Sequence, residues 1–248
     1  MSYNDFDVRM KSYEEDTVYG SDLPVIVRVD GKAFHTYTKK FEKPFDDSIR
    51  FAMTYAAKKV IDASDAVVAY HQSDEVTFLF YRPDPMSQIY FNGRKGKLES
   101  VIASMFTYWF NDMISAMQPE TDCPSPAFFD ARCYQVPSLV EAANVFTWRY
   151  MDCVRNSISA LAHSIYSPKQ LHGVSQKQML EMVKDIDPWE RQLLANRYGT
   201  FVRKNSVENV SRFNEYPIDS RVDYLVKNEP MPLKDIKNVY SARNQEDA

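Results

Sequence analysis

Asp30 and Asp74 are the residues best placed to do chemistry. Asp30 follows the valine-rich run of "PVIVRVDGKAF" and precedes Gly31. Asp74 stands between Ser73 and Glu75 in "HQSDEVTFLF", just before the apolar-rich run Val76 to Phe80. Two strands that each end in a carboxylate can bring those carboxylates together. Like charges in a partly desolvated site disfavour each other's ionisation, and a divalent cation removes that conflict. Magnesium binds through one or two carboxylates plus substrate phosphates and keeps several waters. Two such ions on shared carboxylates stabilise the attacking and leaving oxygens of a phosphoryl displacement. Gly31, without Cβ, lets the backbone approach a metal or phosphate closely. Backbone N–H groups of "GKAFH" can cradle phosphate oxygens, and Lys32, Lys40 and Lys43 are cations nearby in sequence. Each piece alone is ordinary: Asp-Gly is a turn, "SDE" a solvated hairpin tip, and "GRKGK" (93–97) a solvated surface. Their combination in front of buried strands carries the reading.

The elements that must position these acids are legible. Residues 24–30 predict a strand buried on both faces. A helix follows at about 46–62, capped by Asp46 or Asp47, with Ile49, Met53, Ala56, Ala57 and Val60 on one face. "AVVAYHQSDEVTFLFY" predicts a hairpin around a polar turn. Residues 97–117 have a helical apolar period through Leu98, Val101, Ile102, Met105, Trp109, Met113 and Met117. "AFFDARCYQV" predicts a short strand. Ser138 and Glu141 form a capping box for a helix reaching about 165, and Ser175 and Gln178 form a second. Asp187-Pro188-Trp189-Glu190 is a third start signal, with Gly199 ending that helix and "TFVRK" a strand. The chain after about 227 is polar and loosely held. Interleaved strands and helices predict an α+β or α/β layer architecture.

Composition sets the frame. The chain has 248 residues, 44% of them hydrophobic and 14% aromatic, enough for one large domain with a real core. No run approaches a membrane span, and the charged N-terminus has no signal-peptide pattern. Cys123, Cys133 and Cys153 are odd in number and form no CxxC pair, which predicts a reduced, cytoplasmic protein without structural zinc. A net charge of −4 excludes a bulk basic nucleic-acid binder but leaves room for a local patch of placed cations. No two histidines have metal-ligand spacing. His71, His163 and His172 are expected in packing or surface roles, and Trp109 and Trp148 are read as packing residues, not base-stacking platforms.

The blocks "VRVDGKAFHTYTKKFEKPFD", "HQSDEVTFLF", "FDARCYQVPS" and "FTWRYMDCVRNSIS" closely resemble, in order, those of the tRNA-histidine guanylyltransferase superfamily, the 3′–5′ nucleotide polymerases. The resemblance spans about residues 5 to 205. It implies an α+β polymerase- and cyclase-like palm over residues 1–137, an antiparallel sheet with packed helices, and a mainly helical region over 138–248. It implies Asp30 and Asp74 as catalytic ligands of two Mg2+ ions, the Gly31 carbonyl assisting, and Glu75 supporting the site. Lys32, Ala33, Phe34, His35 and Ser73 would hold a nucleoside triphosphate, ATP or GTP, with Lys43 and Asp46 close by. Arg94, Lys97 and Arg132 match cations near a second nucleotide or the RNA 5′ end. The family acts as tetramers with tRNA lying across subunits.

Eukaryotic members carry "HINN" where this chain has Val154, Arg155, Asn156 and Ser157. The "RNS" form followed by "QLHGVS" looks like the bacterial, archaeal and viral guanylyltransferase-like branch, associated with template-directed repair of tRNA 5′ ends. Asn156 is kept, and Arg155 is an added cation, read equally as an RNA contact or a helix-surface salt bridge. Three competitors stand beside tRNA 5′-end repair. One is a dedicated histidine-tRNA guanylyltransferase. Another is a palm-fold nucleotide cyclase, which has no need of Arg94, Lys97, Arg132 and Arg155. The last is a non-catalytic tRNA binder, which has no reason to hold clustered acids near RNA phosphate.

Overall fold

The computed structural model describes residues 3–14, 17–84, 86–117, 125–229 and 231. In chain order the elements are α1 (Tyr3–Lys11), β1 (Val25–Gly31), the single turn α2 (Phe34–Tyr37), α3 (Asp47–Ser64), β2 (Val68–Gln72), β3 (Glu75–Phe80), α4 (Lys95–Met117), β4 (Phe129–Gln135) and α5 (Leu139–Ile165). They continue with α6 (Gln176–Val183), α7 (Leu194–Tyr198), β5 (Thr200–Val202), β6 (Val207–Glu208) and α8 (Ile218–Lys227). Six strands make one sheet in the order β4-β1-β3-β2-β5-β6, and every neighbouring pair is antiparallel. The architecture is the expected α+β palm.

Strand alternation gives this sheet two buried faces. Val25, Val27 and Val29 of β1 join Val76, Phe78 and Phe80 of β3 against α3 and α4. Ile26, Val68, Tyr70, Leu79 and Phe201 point the other way, into a core with Ala142, Phe146 and Tyr150 of α5 and Tyr224 of α8. Burial on both sides is why β1 reads as a nearly unbroken Val/Ile run. β5 and β6 come from the region after residue 137, so the sheet is built from both sides of that point.

Local signals fix the element ends. Asp46 caps α3, its carboxylate accepting from Ser48 N at 2.8 Å and Ile49 N at 3.3 Å. Ser138 accepts from Glu141 N at 3.1 Å, but Glu141 turns its own carboxylate to Asn144. The Ser175–Gln178 capping box is complete in both directions. Asn111 of α4 donates to Ala127 O at 2.9 Å and accepts from Ala127 N at 2.8 Å, which fixes where β4 begins.

The third start signal behaves differently from expectation. Pro188 opens only a 3-10 turn, Trp189–Arg191, and α7 starts separately before Gly199. Tertiary anchors divide the run. Trp189 is buried with its Nε1 donating to Ser157 Oγ at 2.9 Å, and Gln192 folds back onto Asp187 at 2.8 Å. Most of the polar tail after 227 lies outside the described residues.

Candidate active site

Asp30 is the penultimate residue of β1. Register places it directly opposite Glu75 on β3 and Asp130 on β4, so the three acids share one face across three strands. Asp74 sits in the two-residue turn of the β2–β3 hairpin, where Ser73 takes a positive φ of 49°. Gly31 N donates to Asp74 O at 3.1 Å, which docks that turn onto the end of β1. Burial holds the Asp74 carboxyl above its ordinary value, and the charge of Asp30 adds to that. The two acids read from sequence are therefore neighbours, one on a strand and one on a turn. Asp130 is the acid that sequence reading passed over. Its signal was an aspartate inside the strand "FDARCYQ", visible only once the β1–β4 register is known.

Close packing at Gly31 explains the glycine. A Cβ there would lie 2.5 Å from Phe34 Cδ2 and 3.1 Å from Asp74 Cβ. The Phe34 ring cannot retreat, because it packs against Tyr37, Phe110 and Phe129 at centroid distances of 5.0, 5.8 and 5.7 Å. We expect Gly31→Ala to cost about 1–3 kcal/mol by overpacking and to lower activity more than stability, since the hairpin carrying Asp74 must shift. Denaturant melts beside single-turnover rates check this; a variant matching wild type in both would show that the contact yields freely. After Gly31, Lys32 N donates to Phe128 O at 2.8 Å. Ala33 adopts φ 51°, and α2 starts without a side-chain cap. The Lys32 N–H of the expected phosphate cradle is thus already used.

A cavity of about 600 Å³ opens beside Asp74. Of the candidate site residues, Phe34, His35, Lys43, Asp46, Ser73, Asp74 and Asn156 line it. Gly31, Lys32, Ala33, Asp30 and Glu75 stand behind or beside it, and Arg94, Lys97, Arg132 and Arg155 do not line it. Asp46 shapes the wall: burial pushes its carboxyl up, but hydrogen bonds from Ser48, Glu42 and Ile49 outweigh that and hold it below its ordinary value. Lys43 Nζ donates to Thr38 Oγ1 at 3.3 Å. His71, also in the wall, is buried, hydrogen-bonded to Thr54 Oγ1 at 2.9 Å, and pushed down to about 3 by burial and then by Arg50, so it is neutral packing.

Glu75 does not face that cavity. Arg149 Nε donates to Glu75 Oε1 at 2.5 Å, and Arg28 Nε lies 3.8 Å from Oε2. Arg149 Nη2 donates to Asp152 at 2.7 Å, and Asp152 also accepts from Arg155 and from Asn156 at 3.3 Å. Burial raises the Glu75 carboxyl, and Arg149 and then Arg28 pull it back. Glu75 thus ties the hairpin turn to α5. Arg155 is in the helix-surface salt bridge that was one of its two readings. Trp109 packs against Tyr55 and Lys59 as expected. Trp148 departs from the packing expectation: its residue is 51% exposed, because α5 turns it toward the uncovered β1–β4 side of the sheet.

Among the described residues no group of three or more His, Cys, Asp or Glu side chains converges on a metal position. No salt bridge among them reaches Asp30 or Asp74. The site instead offers two carboxylates outside any of these salt bridges, one of them hydrogen-bonded by Ser73 and burdened by like charge, plus backbone oxygen. That hard, incomplete oxygen set suits magnesium, whose remaining positions go to water and substrate phosphate. It does not suit a closed zinc site.

An antiparallel sheet with helices on both faces and acids gathered at the ends of its central strands defines a palm-type nucleotidyl-transfer domain. A family model for tRNA-histidine guanylyltransferase (Thg1) matches residues 7–137. A bacterial guanylyltransferase-like protein solved in complex with ATP is 31% identical, with a TM-score of 0.80, covering 91% of this chain and 98% of that one. An uncharacterized protein of Acanthamoeba polyphaga mimivirus is 29% identical over 205 residues, 73% of this chain and 70% of its own length. The Saccharomyces cerevisiae tRNA(His) guanylyltransferase is 30% identical over 155 residues, and the chain spans 64% of its length. The chain belongs to the tRNA-histidine guanylyltransferase family, and its class is nucleotidyltransferase.

Proposed function

We propose that this protein adds nucleotides in the 3′–5′ direction to the 5′ end of tRNA, directed by the opposite strand, as a repair reaction. The observation that carries the reading is the pairing of Asp30 and Asp74 through the Gly31–Asp74 hydrogen bond, beside a cavity of about 600 Å³. That volume is in the range of small-molecule and cofactor sites. Bacterial relatives solved with ATP and with GTP support a nucleoside triphosphate as its occupant.

In this reading a 5′ monophosphate oxygen of the RNA attacks the α-phosphorus of ATP or GTP and releases pyrophosphate. The 3′-OH of the incoming nucleotide then attacks the activated 5′ phosphorus and releases the nucleoside monophosphate. Both steps are displacements at phosphorus, so one site serves both. Asp30, Asp74 and the Gly31 carbonyl would hold two magnesium ions, which supply charge neutralisation at the attacking and leaving oxygens. His35, Lys43 and Ser73 orient the triphosphate, while Asp46 holds the loop beneath it. Arg94, Lys97 and Arg132 are assigned to RNA phosphate. A homotetramer with tRNA across subunits is part of the proposal by family likeness. So is a reducing compartment, which fits buried Cys133 and Cys153 thiols that burial pushes up to about 12.

The "VRNS" sequence at the "HINN" positions supports repair over dedicated guanylylation. Discrimination then comes from base pairing, while the protein reads phosphate and stem shape, which carry little sequence information. The test uses tRNAs lacking the first 5′ residue, with each of the four bases opposite the gap. Incorporation is expected to follow the opposite base on several tRNAs. Guanosine added regardless of that base, and only to histidine tRNA, would establish the dedicated guanylyltransferase instead.

A further inference from the structure

We propose that Trp148 is a stacking platform for the nucleobase at the 5′ end of the RNA substrate, beside the carboxylates and outside the nucleotide cavity. The proposal rests on the function argued above and identifies where its second reactant is held.

The indole is exposed yet fixed. Its residue is 51% exposed, while the guanidinium carbons of Arg149 and Arg28 lie 4.4 and 5.4 Å from its ring centroid. Glu75 accepts a hydrogen bond from Arg149 at 2.5 Å, and Arg28 forms a looser ion pair with it at 3.8 Å. The ring therefore contacts two cations, one of them fixed by Glu75, while half of the residue stays exposed. The other two tryptophans are committed, Trp189 to Ser157 in the core and Trp109 to Tyr55 and Lys59.

Location supplies the occupant. Arg28 is two residues before Asp30 on the same face of β1, about 7 Å along a strand. A phosphate at Asp30 would have its base within reach of the indole. Trp148 is not among the residues lining the cavity beside Asp74; it contacts Arg28, on the face of β1 that carries Asp30. A displacement between two reactants requires a place for each. Further cations lie in the same region: Arg132 is the register partner of Arg28, and Arg155, paired with Asp152 but with a side chain 63% exposed, lies two helical turns from Trp148 beyond exposed Met151. An aromatic face among cations is how single-stranded nucleic acid is held, with bases stacked and phosphates neutralised. Two acids lie in the same region. Asp152 is neutralised by Arg149 and Arg155, and Asp130, opposite Asp30, stands two residues from Arg132 on β4.

The competing explanation is that Trp148 only shields the Arg149–Glu75 pair from water. That role predicts lost stability whatever the RNA carries. The test compares full-length wild type, Trp148→Phe, Trp148→Leu and Trp148→Ala. Binding is measured to 5′-phosphorylated truncated tRNA with a normal or an abasic 5′-terminal residue, alongside melting temperature and sedimentation. Stacking worth about 1–3 kcal/mol per base predicts 5- to 150-fold weaker binding of the normal RNA by the Leu and Ala variants. Phe should retain most of the affinity. On the abasic RNA all four proteins should bind alike. An equal penalty on both RNAs, or no penalty on either, overturns the proposal. So does a change of assembly state alone, which would place the indole between copies of the chain. Because the readout is binding, failure here is separable from failure of nucleotide addition.

Discussion

Asp30→Ala and Asp74→Ala are each expected to reduce nucleotide addition by about a thousandfold or more while the protein stays folded. Losing one ligand from the proposed metal site removes several kcal/mol of transition-state stabilisation, and each ~1.4 kcal/mol is tenfold in rate. Folding should survive because neither carboxylate forms a salt bridge among the described residues and because their charges oppose one another. Burial and the negative charge of Asp30 both work against an ionised Asp74, so removing either acid relieves a conflict. The melting temperature of each variant without metal should equal or exceed that of wild type. Single-turnover incorporation and calorimetry, with and without magnesium, measure both halves. A purified variant with near-normal rates would remove the metal assignment. A variant that loses activity together with its fold would show that the acids are structural.

What the sequence made legible follows from which signals are local. β1, the β2–β3 hairpin, α3, α4 and α5 are announced by periodicity and by caps a few residues away, and they appear within a few residues of expectation. Their order brings Asp30 and Asp74 together because a two-residue turn can dock on a neighbouring strand end. The Glu75–Arg149 pair was not legible, since its partners lie 74 residues apart. Glu75 looked like a member of the reactive cluster because it follows Asp74; it shares a face with Asp30, but its carboxylate is taken up by Arg149 of α5 and does not line the cavity. Trp148 looked like packing because apolar spacing on a long helix does not show which turns the sheet leaves uncovered. α8 was missed as well. Its fit depends on the Arg203 guanidinium, which donates to Leu225 O at 3.2 Å and to Tyr224 O at the end of that helix. That contact exists only after β5 has joined the sheet.

Arg149→Met is expected to destabilise the protein by about 3–5 kcal/mol, the range for removing one partner of a buried pair. Glu75 is buried, and its carboxylate accepts from Arg149 at 2.5 Å. Burial alone already raises its proton affinity, and Arg149 is the larger of the two charges that counter this. Without Arg149 the carboxylate stays desolvated beside Asp30, with only Arg28 at 3.8 Å. The double variant Glu75→Leu/Arg149→Met removes both charges and should recover most of the stability, since replacing a buried pair by apolar side chains is often neutral. Its activity then decides what Glu75 is for. If Glu75 and Arg149 act only by holding the hairpin, the refolded double variant should retain activity within about tenfold of wild type, roughly the 1.4 kcal/mol expected of a small misplacement. A stable double variant as inactive as Asp74→Ala would instead put the Glu75 carboxylate among the reacting groups. Urea melts of both single variants and the double, read beside single-turnover rates, separate these outcomes.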